Sequence, residues 1–358
     1  MSQGEQKAAS PLPVQFAQSL DPLPEGPLPA LPPASPRRPV RVTINGRQVS
    51  VPEGATLLQA TREAGVDTPT LCFLETLTPV NACRICVVEV EGSRTLVPAC
   101  SRIAEDGMVV STESERVHLS RRLILELLAS SVDVSTSPQI QVYMERFGAR
   151  PERFGPPQPP STMRDAARPG FHAPTDGSQA AVVSQPARID NELYMRDYSK
   201  CILCYKCVEA CGADAQNTFA IAVAGRGFDA RISTEYAVPL PDSACVYCGN
   251  CIGVCPTGAL MFVSEYNMRH AGTWDESRQT TTDTVCPYCG VGCMVTLHVQ
   301  EEKIVKADSP IQSGTTRGNL CIKGRFGWQY VNIKEKTHRP AAGDGADVGP
   351  NGVRPPEL

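Results

Sequence analysis

The sequence has few aromatic and few histidine residues: aromatic side chains make up 6% of 358 residues, and there are 5 His. Two or three domains are usual for this length, and so few rings exclude one large aromatic core. No run reaches the roughly 18 apolar residues of a membrane span, and Lys and Arg form no block of the kind that binds nucleic acid. We therefore predict a cytoplasmic chain with no membrane span and no nucleic-acid partner.

Proline is abundant by comparison, and its distribution divides the chain. Of 32 Pro, 10 lie in residues 1–39, 8 in residues 151–190 and 4 in residues 339–358, and none of these segments contains cysteine. Such segments bury too little apolar surface to offset chain entropy. We predict a disordered arm over residues 1–39, a linker over residues 151–190 and a Gly/Pro tail over residues 335–358.

The block between the arm and the linker begins with a β pattern. Residues 40–51 alternate apolar and polar side chains around Asn45 and Gly46, which predicts a hairpin. A short helix is expected from Thr56 to Ala64, with further strands over residues 87–90 and 96–97. The pattern indicates a small mixed sheet with one helix across it.

Residues 113–150 predict a helical segment that contains no cysteine. Residues 112–130 indicate one amphipathic helix, in which four leucines recur near helical spacing: Leu119, Leu123, Leu125 and Leu128. The later blocks, residues 191–266 and 280–334, read as short strands and turns between cysteines. Their cores would be small without a bound cofactor.

The 16 cysteines form four groups, and in a reducing compartment metal ligation is favoured over disulfides. The first group, spaced C-x10-C-x2-C-x13-C, is Cys72, Cys83, Cys86 and Cys100. Plant-type ferredoxins hold a [2Fe-2S] cluster with a shorter first gap. The longer gap, with the run from Cys83 to Val90, resembles the ferredoxin-like domain that opens the large iron–sulfur subunit of NADH dehydrogenases, iron-only hydrogenases and NAD-dependent formate dehydrogenases. The resemblance implies a β-grasp [2Fe-2S] domain over residues 40–112, with a zinc site as the alternative.

The second and third groups repeat one CxxCxxCxxxC run, from Cys201 to Cys211 and from Cys245 to Cys255. This is the run of bacterial two-cluster ferredoxins, in which the fourth cysteine of each run binds the other cluster. One [4Fe-4S] cluster would then take Cys201, Cys204, Cys207 and Cys255. The other would take Cys211, Cys245, Cys248 and Cys251. The triple spacing suits a cube better than the tetrahedral zinc alternative.

The fourth group, spaced C-x2-C-x3-C-x27-C, is Cys286, Cys289, Cys293 and Cys321, with Lys323 close behind. It resembles the amino-terminal [4Fe-4S] domain of molybdopterin oxidoreductases over residues 280–334, and its sequence is similar to that of formate dehydrogenase alpha subunits. In that family a lysine at the position of Lys323 lies between the cluster and the pterin. The resemblance therefore implies an electron-relay role for Lys323, with an ordinary surface lysine as the alternative.

These assignments imply an α+β multidomain fold. Its parts are the β-grasp [2Fe-2S] domain, a bacterial two-[4Fe-4S] ferredoxin domain over residues 191–266 and the small molybdopterin-oxidoreductase [4Fe-4S] domain, joined by Pro-rich linkers. Many relatives have a further cubane, bound by one His and three Cys, after the [2Fe-2S] domain. Residues 128–138 contain no cysteine, and His118 is the one histidine nearby, so we expect that cluster to be missing.

The long molybdopterin domain that follows the fourth group in the family has no counterpart in the residues that remain. No catalytic residue is assigned, and we expect the chain alone not to be catalytic. One [2Fe-2S] and three [4Fe-4S] clusters make a path for electrons. The leading hypothesis is the iron–sulfur electron-transfer portion of an NAD-dependent formate dehydrogenase, which links a molybdopterin (Mo or W) catalytic partner to a flavin/NAD subunit. The alternatives are an inactive truncated or frameshifted product, and an iron–sulfur subunit of an NADH dehydrogenase or hydrogenase.

Overall fold

The computed structural model describes residues 37–160, 170–176 and 187–332. Most of the predicted arm, the predicted tail, and parts of the predicted linker lie outside these described residues. The described residues from Pro39 onward belong to one compact unit. None of the helices in the described ranges has the length and apolar character needed to span a bilayer.

The first block is a five-stranded sheet with a helix packed against it. Its elements are β1 (Pro39–Ile44), β2 (Arg47–Pro52), α1 (Leu57–Glu63), β3 (Val87–Val90), β4 (Val97–Pro98) and β5 (Val109–Ser111). The strand order is β2-β1-β5-β3-β4, with β1 and β5 parallel and the other pairs antiparallel. Asn45 and Gly46 both have positive φ, 49° and 81°, as a type I′ hairpin requires. The predicted hairpin, helix and strands are confirmed.

Two helices follow where one was predicted: α2 (Glu115–Ser131) and α3 (Pro138–Phe147). Of the four leucines, Leu125 is fully buried, whereas Leu119 is 43% exposed. The buried face of α2 also carries Arg121 and Glu126, because α3 and the residues after it cover that side. The Arg121 guanidinium lies over the Phe147 ring, 5.3 Å from its centre. The expectation of one leucine-faced helix was therefore incomplete.

The described part of the predicted linker, within residues 151–190, contains short regular elements. A 3₁₀ turn spans Pro151–Phe154, and the short strands β6 (Pro157–Gln158) and β7 (Phe171–His172) pair antiparallel. The Val134 amide donates to the Gly170 carbonyl at 2.9 Å. These backbone groups find hydrogen-bond partners on the helical segment, which a sequence-composition argument does not reveal.

The third block contains the predicted short strands and also three short helices that were not predicted. Its elements are β8 (Tyr194–Arg196), α4 (Lys206–Cys211), β9 (Ala222–Ala224), β10 (Arg231–Ser233), α5 (Asn250–Gly253), β11 (Leu260–Phe262) and α6 (Val263–His270). Strand β8 pairs with β11, and β9 pairs with β10, both antiparallel. The last block is an antiparallel sheet, β12 (Thr280–Val285), β13 (Met294–Gln300) and β14 (Lys303–Asp308), followed by α7 (Ile322–Phe326).

Candidate iron–sulfur centres

The first set is the group of four thiols predicted for the [2Fe-2S] cluster. Cys72 and Cys83 lie in the loop between α1 and β3, Cys86 immediately precedes β3, and Cys100 follows β4. The Cys72 amide donates to the Cys83 sulfur at 3.4 Å. A hydrogen bond from the Cys83 thiol lowers the pKa of Cys72 to about 6 and raises that of Cys83. Cys100 likewise lowers the pKa of Cys86 to about 7. Hydrogen bonds within the set therefore lower the pKa at two of the four positions, and the thiolate is the form that binds metals.

The second set brings together three cysteines of the first ferredoxin run and the last cysteine of the second run. These four thiols line one small cavity: Cys201, Cys204, Cys207 and Cys255. Leu203 and Tyr205 have positive φ, 50° and 63°, so the chain turns tightly around the cavity. Burial raises the pKa of Cys201 to about 12 and that of Cys204 to about 11.

The third set mirrors this arrangement. Its four thiols line a second small cavity: Cys211, Cys245, Cys248 and Cys251. Tyr247 and Gly249 have positive φ, 56° and 71°, at the same places in the run as Leu203 and Tyr205. The matched thiol sets and turns indicate two similar occupants. Both cavities are largely apolar apart from their thiols, and four sulfurs around a space rather than a point suit a [4Fe-4S] cube.

The fourth set is more open. Cys286 is buried and Cys293 half-buried, whereas Cys289 and Cys321 are exposed. The four thiols lie close enough that the charges of the other three act on Cys293, whose pKa is raised by burial and then by those charges. Gly292 has the left-handed φ of 70° that the turn requires, whereas Gly290 does not. Lys323 lies on α7 beside Cys321, and its side chain is exposed.

The first three sets follow one another in space. Burial raises the pKa of Cys204, and the charge on Cys72 of the first set adds to the increase. Burial also raises the pKa of Cys207 well above its ordinary value, and Cys251 of the third set contributes. Between the first block and the third block, Thr78 donates through its amide and its hydroxyl to the Asp214 carboxylate, at 2.6 and 3.0 Å.

The fourth set adjoins the third through α7 and through Leu320, which precedes Cys321. The Leu320 amide, next to Cys321, donates to Asn250 Oδ1 at 2.9 Å. Phe326 stacks on Tyr194 with ring centres 6.0 Å apart. The Tyr194 hydroxyl lies 2.9 Å from the Cys245 sulfur. The four sets therefore lie in a row, in the order first, second, third and fourth.

Sequence analysis missed the residues that connect these sets. Tyr194 lies 51 positions from the cysteine it contacts, and no cysteine spacing marks it. Arg325 is fully buried beside the third set, although an arginine on a short helix is ordinarily expected in solvent. No signal in the sequence distinguishes either residue from a surface side chain. The ligand sets themselves stay predictions, and the cavities and thiol groupings support them.

Three segments of the chain match known protein families. Residues 37–115 match the 2Fe-2S iron–sulfur cluster binding domain, residues 200–259 the 4Fe-4S dicluster domain, and residues 279–333 the molybdopterin oxidoreductase Fe4S4 domain. Each match covers one of the predicted cysteine-bearing blocks.

Two curated relatives share most of these blocks. An NADH-quinone oxidoreductase subunit from Rhizobium meliloti (strain 1021) is 32% identical over 309 residues, which cover 84% of this chain and 32% of the relative. The NADP-reducing hydrogenase subunit HndD of Solidesulfovibrio fructosivorans is 37% identical over 232 residues, 62% of this chain and 35% of the relative. The chain spans about a third of the length of each. Staphylococcal proteins that carry the name formate dehydrogenase are 24% identical over 344 residues, so that likeness is weaker.

One solved structure has a related fold. A chain of an NAD⁺-reducing [NiFe]-hydrogenase in the H₂-reduced state superposes with a TM-score of 0.50 at 24% identity, over 63% of this chain and 87% of that chain. At this identity the likeness concerns the fold alone. The family matches and the cysteine sets together identify a multidomain iron–sulfur protein, with 2Fe-2S, 4Fe-4S dicluster and molybdopterin-oxidoreductase Fe4S4 domains of the kind that transfer electrons in oxidoreductases.

Proposed function

We propose that this chain carries electrons between a molybdopterin-type catalytic site and a flavin subunit that reacts with NAD(P), within a multisubunit oxidoreductase. The observation that carries the proposal is the row of four cysteine sets. In this row the charge of Cys72 contributes to the raised pKa of Cys204, and the charge of Cys251 contributes to that of Cys207. When bound, iron–sulfur clusters accept and release single electrons, at potentials set by charge, hydrogen bonds and exposure. The protein holds the thiols, excludes water and fixes their order.

The residues at the two ends of the row support the direction. At one end, Cys289, Cys321 and Lys323 are exposed, so a partner site is able to approach the fourth set. At the other end, the first set is enclosed by its own block, with Cys72, Cys86 and Cys100 buried. The proposed exit to a flavin therefore crosses the loop that covers these thiols.

Formate is the substrate proposed for the catalytic partner. This proposal is supported by the sequence around Cys286 and Lys323, and by the relatives that carry the name formate dehydrogenase. Lys323 would then relay electrons between the pterin and the fourth set. In this proposal the formate chemistry belongs to the partner.

A second candidate function is the iron–sulfur subunit of an NADH dehydrogenase or a hydrogenase. The observation that favours it is the higher identity of the curated relatives with those names, 32% and 37%. In this alternative the same row of cysteine sets carries electrons, and only the partner differs. The choice between formate and hydrogen is therefore a question about the partner that meets the fourth set.

The test uses the full chain, reconstituted with iron and sulfide under argon. Sodium dithionite should bleach its visible absorption, whereas formate alone should not. After addition of a molybdopterin formate dehydrogenase catalytic subunit, formate should bleach it, and Lys323→Ala should slow this step while leaving reduction by dithionite unchanged. Lys303→Ala, at an exposed lysine on β14, is the matched control.

The outcomes separate the candidates. Bleaching by hydrogen in the presence of a hydrogenase catalytic subunit, with none by formate in its own assay, would favour the hydrogenase alternative. A chain that binds no iron, or whose absorption dithionite leaves unchanged, would overturn the electron-transfer proposal itself.

A further inference from the structure

The side chain of Arg325 lies between the third and fourth sets. Arg325 belongs to α7, which begins directly after Cys321 of the fourth set, and its side chain is 0% exposed. It crosses to α5, which carries Cys251 of the third set. A Cβ atom at Gly249 would lie 2.7 Å from Arg325 Cγ, and one at Gly253 would lie 3.1 Å from Arg325 Nη2. Two glycines of the third-set run therefore make the room that this arginine occupies.

The charge of Arg325 is only partly balanced by neighbouring groups. Nη1 donates to Asp308 Oδ1 at 2.9 Å and to the Ala307 carbonyl at 3.2 Å. Nη2 lies 3.4 Å from both Asn250 Oδ1 and the Gly318 carbonyl, and Nε has no partner among the described residues. Asp308 is the one acid paired with it in the described ranges, and that acid is shared.

The sharing of Asp308 is visible in its own contacts. Lys306 Nζ lies 3.7 Å from Asp308 Oδ2, and His298 Nε2 lies 3.2 Å from the same atom. Burial opposes ionisation of Asp308, but the hydrogen bond from His298 and the charges of Arg325 and Lys306 outweigh it and lower its pKa to about 2. One carboxylate thus faces two cations and a histidine, so positive charge remains at Arg325.

The remaining charge faces the third set. Beyond Asp308, the groups whose charges act on Arg325 are the thiols of Cys248 and Cys251. Burying a guanidinium is unfavourable unless opposite charge compensates it, and thiolates that bind a cluster supply such charge.

We propose that Arg325 raises the reduction potential of the [4Fe-4S] cluster at the third set, by holding a partly unbalanced positive charge against Cys248 and Cys251. The inference rests on the proposed function, because it requires a cluster at those thiols. Reduction adds one negative charge there: one electron enters from sodium dithionite or from the neighbouring set, and no bond or proton moves. A fixed cation nearby favours the reduced state, so an electron arriving from the fourth set would be drawn toward the third.

The test is a redox titration of the reconstituted full chain, followed by electron paramagnetic resonance. The third-set signal is first identified as the one that Cys248→Ser removes. Arg325→Met should then lower the ratio of reduced to oxidised cluster about tenfold at a fixed potential, equivalent to a downward shift of about 59 mV for one electron. Arg325→Lys, which keeps the charge, should stay near the parent potential. Arg278→Gln, whose side chain is 59% exposed, should leave the potential unchanged.

A second variant keeps the inference falsifiable if Arg325→Met binds less iron. Asp308→Asn removes the balancing carboxylate and leaves Arg325 in place, so it should raise the third-set potential more than the second-set potential. An unchanged third-set potential in Asp308→Asn, or in iron-replete Arg325→Met, would overturn the inference, as would equal shifts in Arg325→Lys and Arg325→Met. Failure of the parent chain to bind iron would instead overturn the proposed function.

Discussion

The ammonium group of Lys200 lies 2.5 Å from the carboxylate of Asp133, and the two side chains are 0% and 1% exposed. Asp133 follows α2 in the cysteine-free helical segment, and Lys200 immediately precedes Cys201 of the second set. The same segment reaches the other end of that set, because Thr136 Oγ1 donates to the Thr257 carbonyl at 2.6 Å and Ser137 Oγ to the Pro256 carbonyl at 2.8 Å. The cysteine-free helical segment therefore links the second set to the first block.

Lys200→Met should destabilise the iron-loaded chain by about 3–5 kcal/mol, because it removes the buried cation that faces the Asp133 carboxylate. Urea unfolding, monitored by the loss of cluster absorption, gives the change in the urea concentration at the unfolding midpoint. The control is Glu301→Gln, which breaks the ion pair with Arg278 at 2.8 Å, where both side chains are more than half exposed. That change should cost no more than about 1 kcal/mol. Equal losses for the two variants would show that burial of the Lys200 pair is unimportant.

The reconstituted chain should bind roughly 14 iron atoms, from one two-iron and three four-iron clusters. The physical basis is four complete thiol sets, two of which each line a cavity. Iron and sulfide assays on the purified chain measure the content. Zinc at several equivalents with little iron would contradict the cluster assignment. Roughly 18 iron atoms, as one additional four-iron cluster would give, would contradict the four-set count.

Cys211→Ser should damage the cluster held with Cys245, Cys248 and Cys251, and leave the second-set cluster more intact. The reason is that Cys211 faces the third-set cavity, although it belongs to the first run in sequence. Electron paramagnetic resonance of the reduced variant reports which signal is lost. Cys255→Ser is the reciprocal control and should damage the second set instead. Loss of the second-set signal in Cys211→Ser would mean that each run binds its own cluster.

Gly249→Ala should destabilise the chain by about 1–3 kcal/mol and alter the third-set signal, because it combines a left-handed backbone with a clash. Its φ is 71°, and the added Cβ would lie 2.7 Å from Arg325 Cγ. Gly272→Ala is the control that has the left-handed backbone without the clash. Its φ is 69°, and no atom lies within 4 Å of the added Cβ. Gly314→Ala, with neither strain nor neighbours, should be close to neutral. A Gly249 variant that behaves like the Gly272 variant in both measurements would argue against the close fit of Arg325.

The sequence by itself determined the features that depend on short stretches of chain. The CxxCxxC loops, the Asn45-Gly46 hairpin and the helix that begins after Thr56 are set by local backbone geometry and by side chains a few residues apart. Even the grouping of the thiols follows from the run spacing, because a loop that carries three close cysteines faces its fourth toward the other site. The cysteine sets could therefore be predicted as residues, with their distances left open.

The tertiary structure alone decided which charged residues are buried and what they face. Lys200 and Asp133 are 67 positions apart, and Arg325 reaches Asn250 across 75 positions. Neither separation leaves a periodic signal, since apolar periodicity marks the face that meets a core but not a charge that meets a distant partner. The buried face of α2 was incompletely predicted for the same reason, because Arg121 and Glu126 are buried by groups contributed from α3 and residues 150–153. A charge enters the interior only when the fold supplies its counter-charge, and the counter-charge is a property of three-dimensional packing.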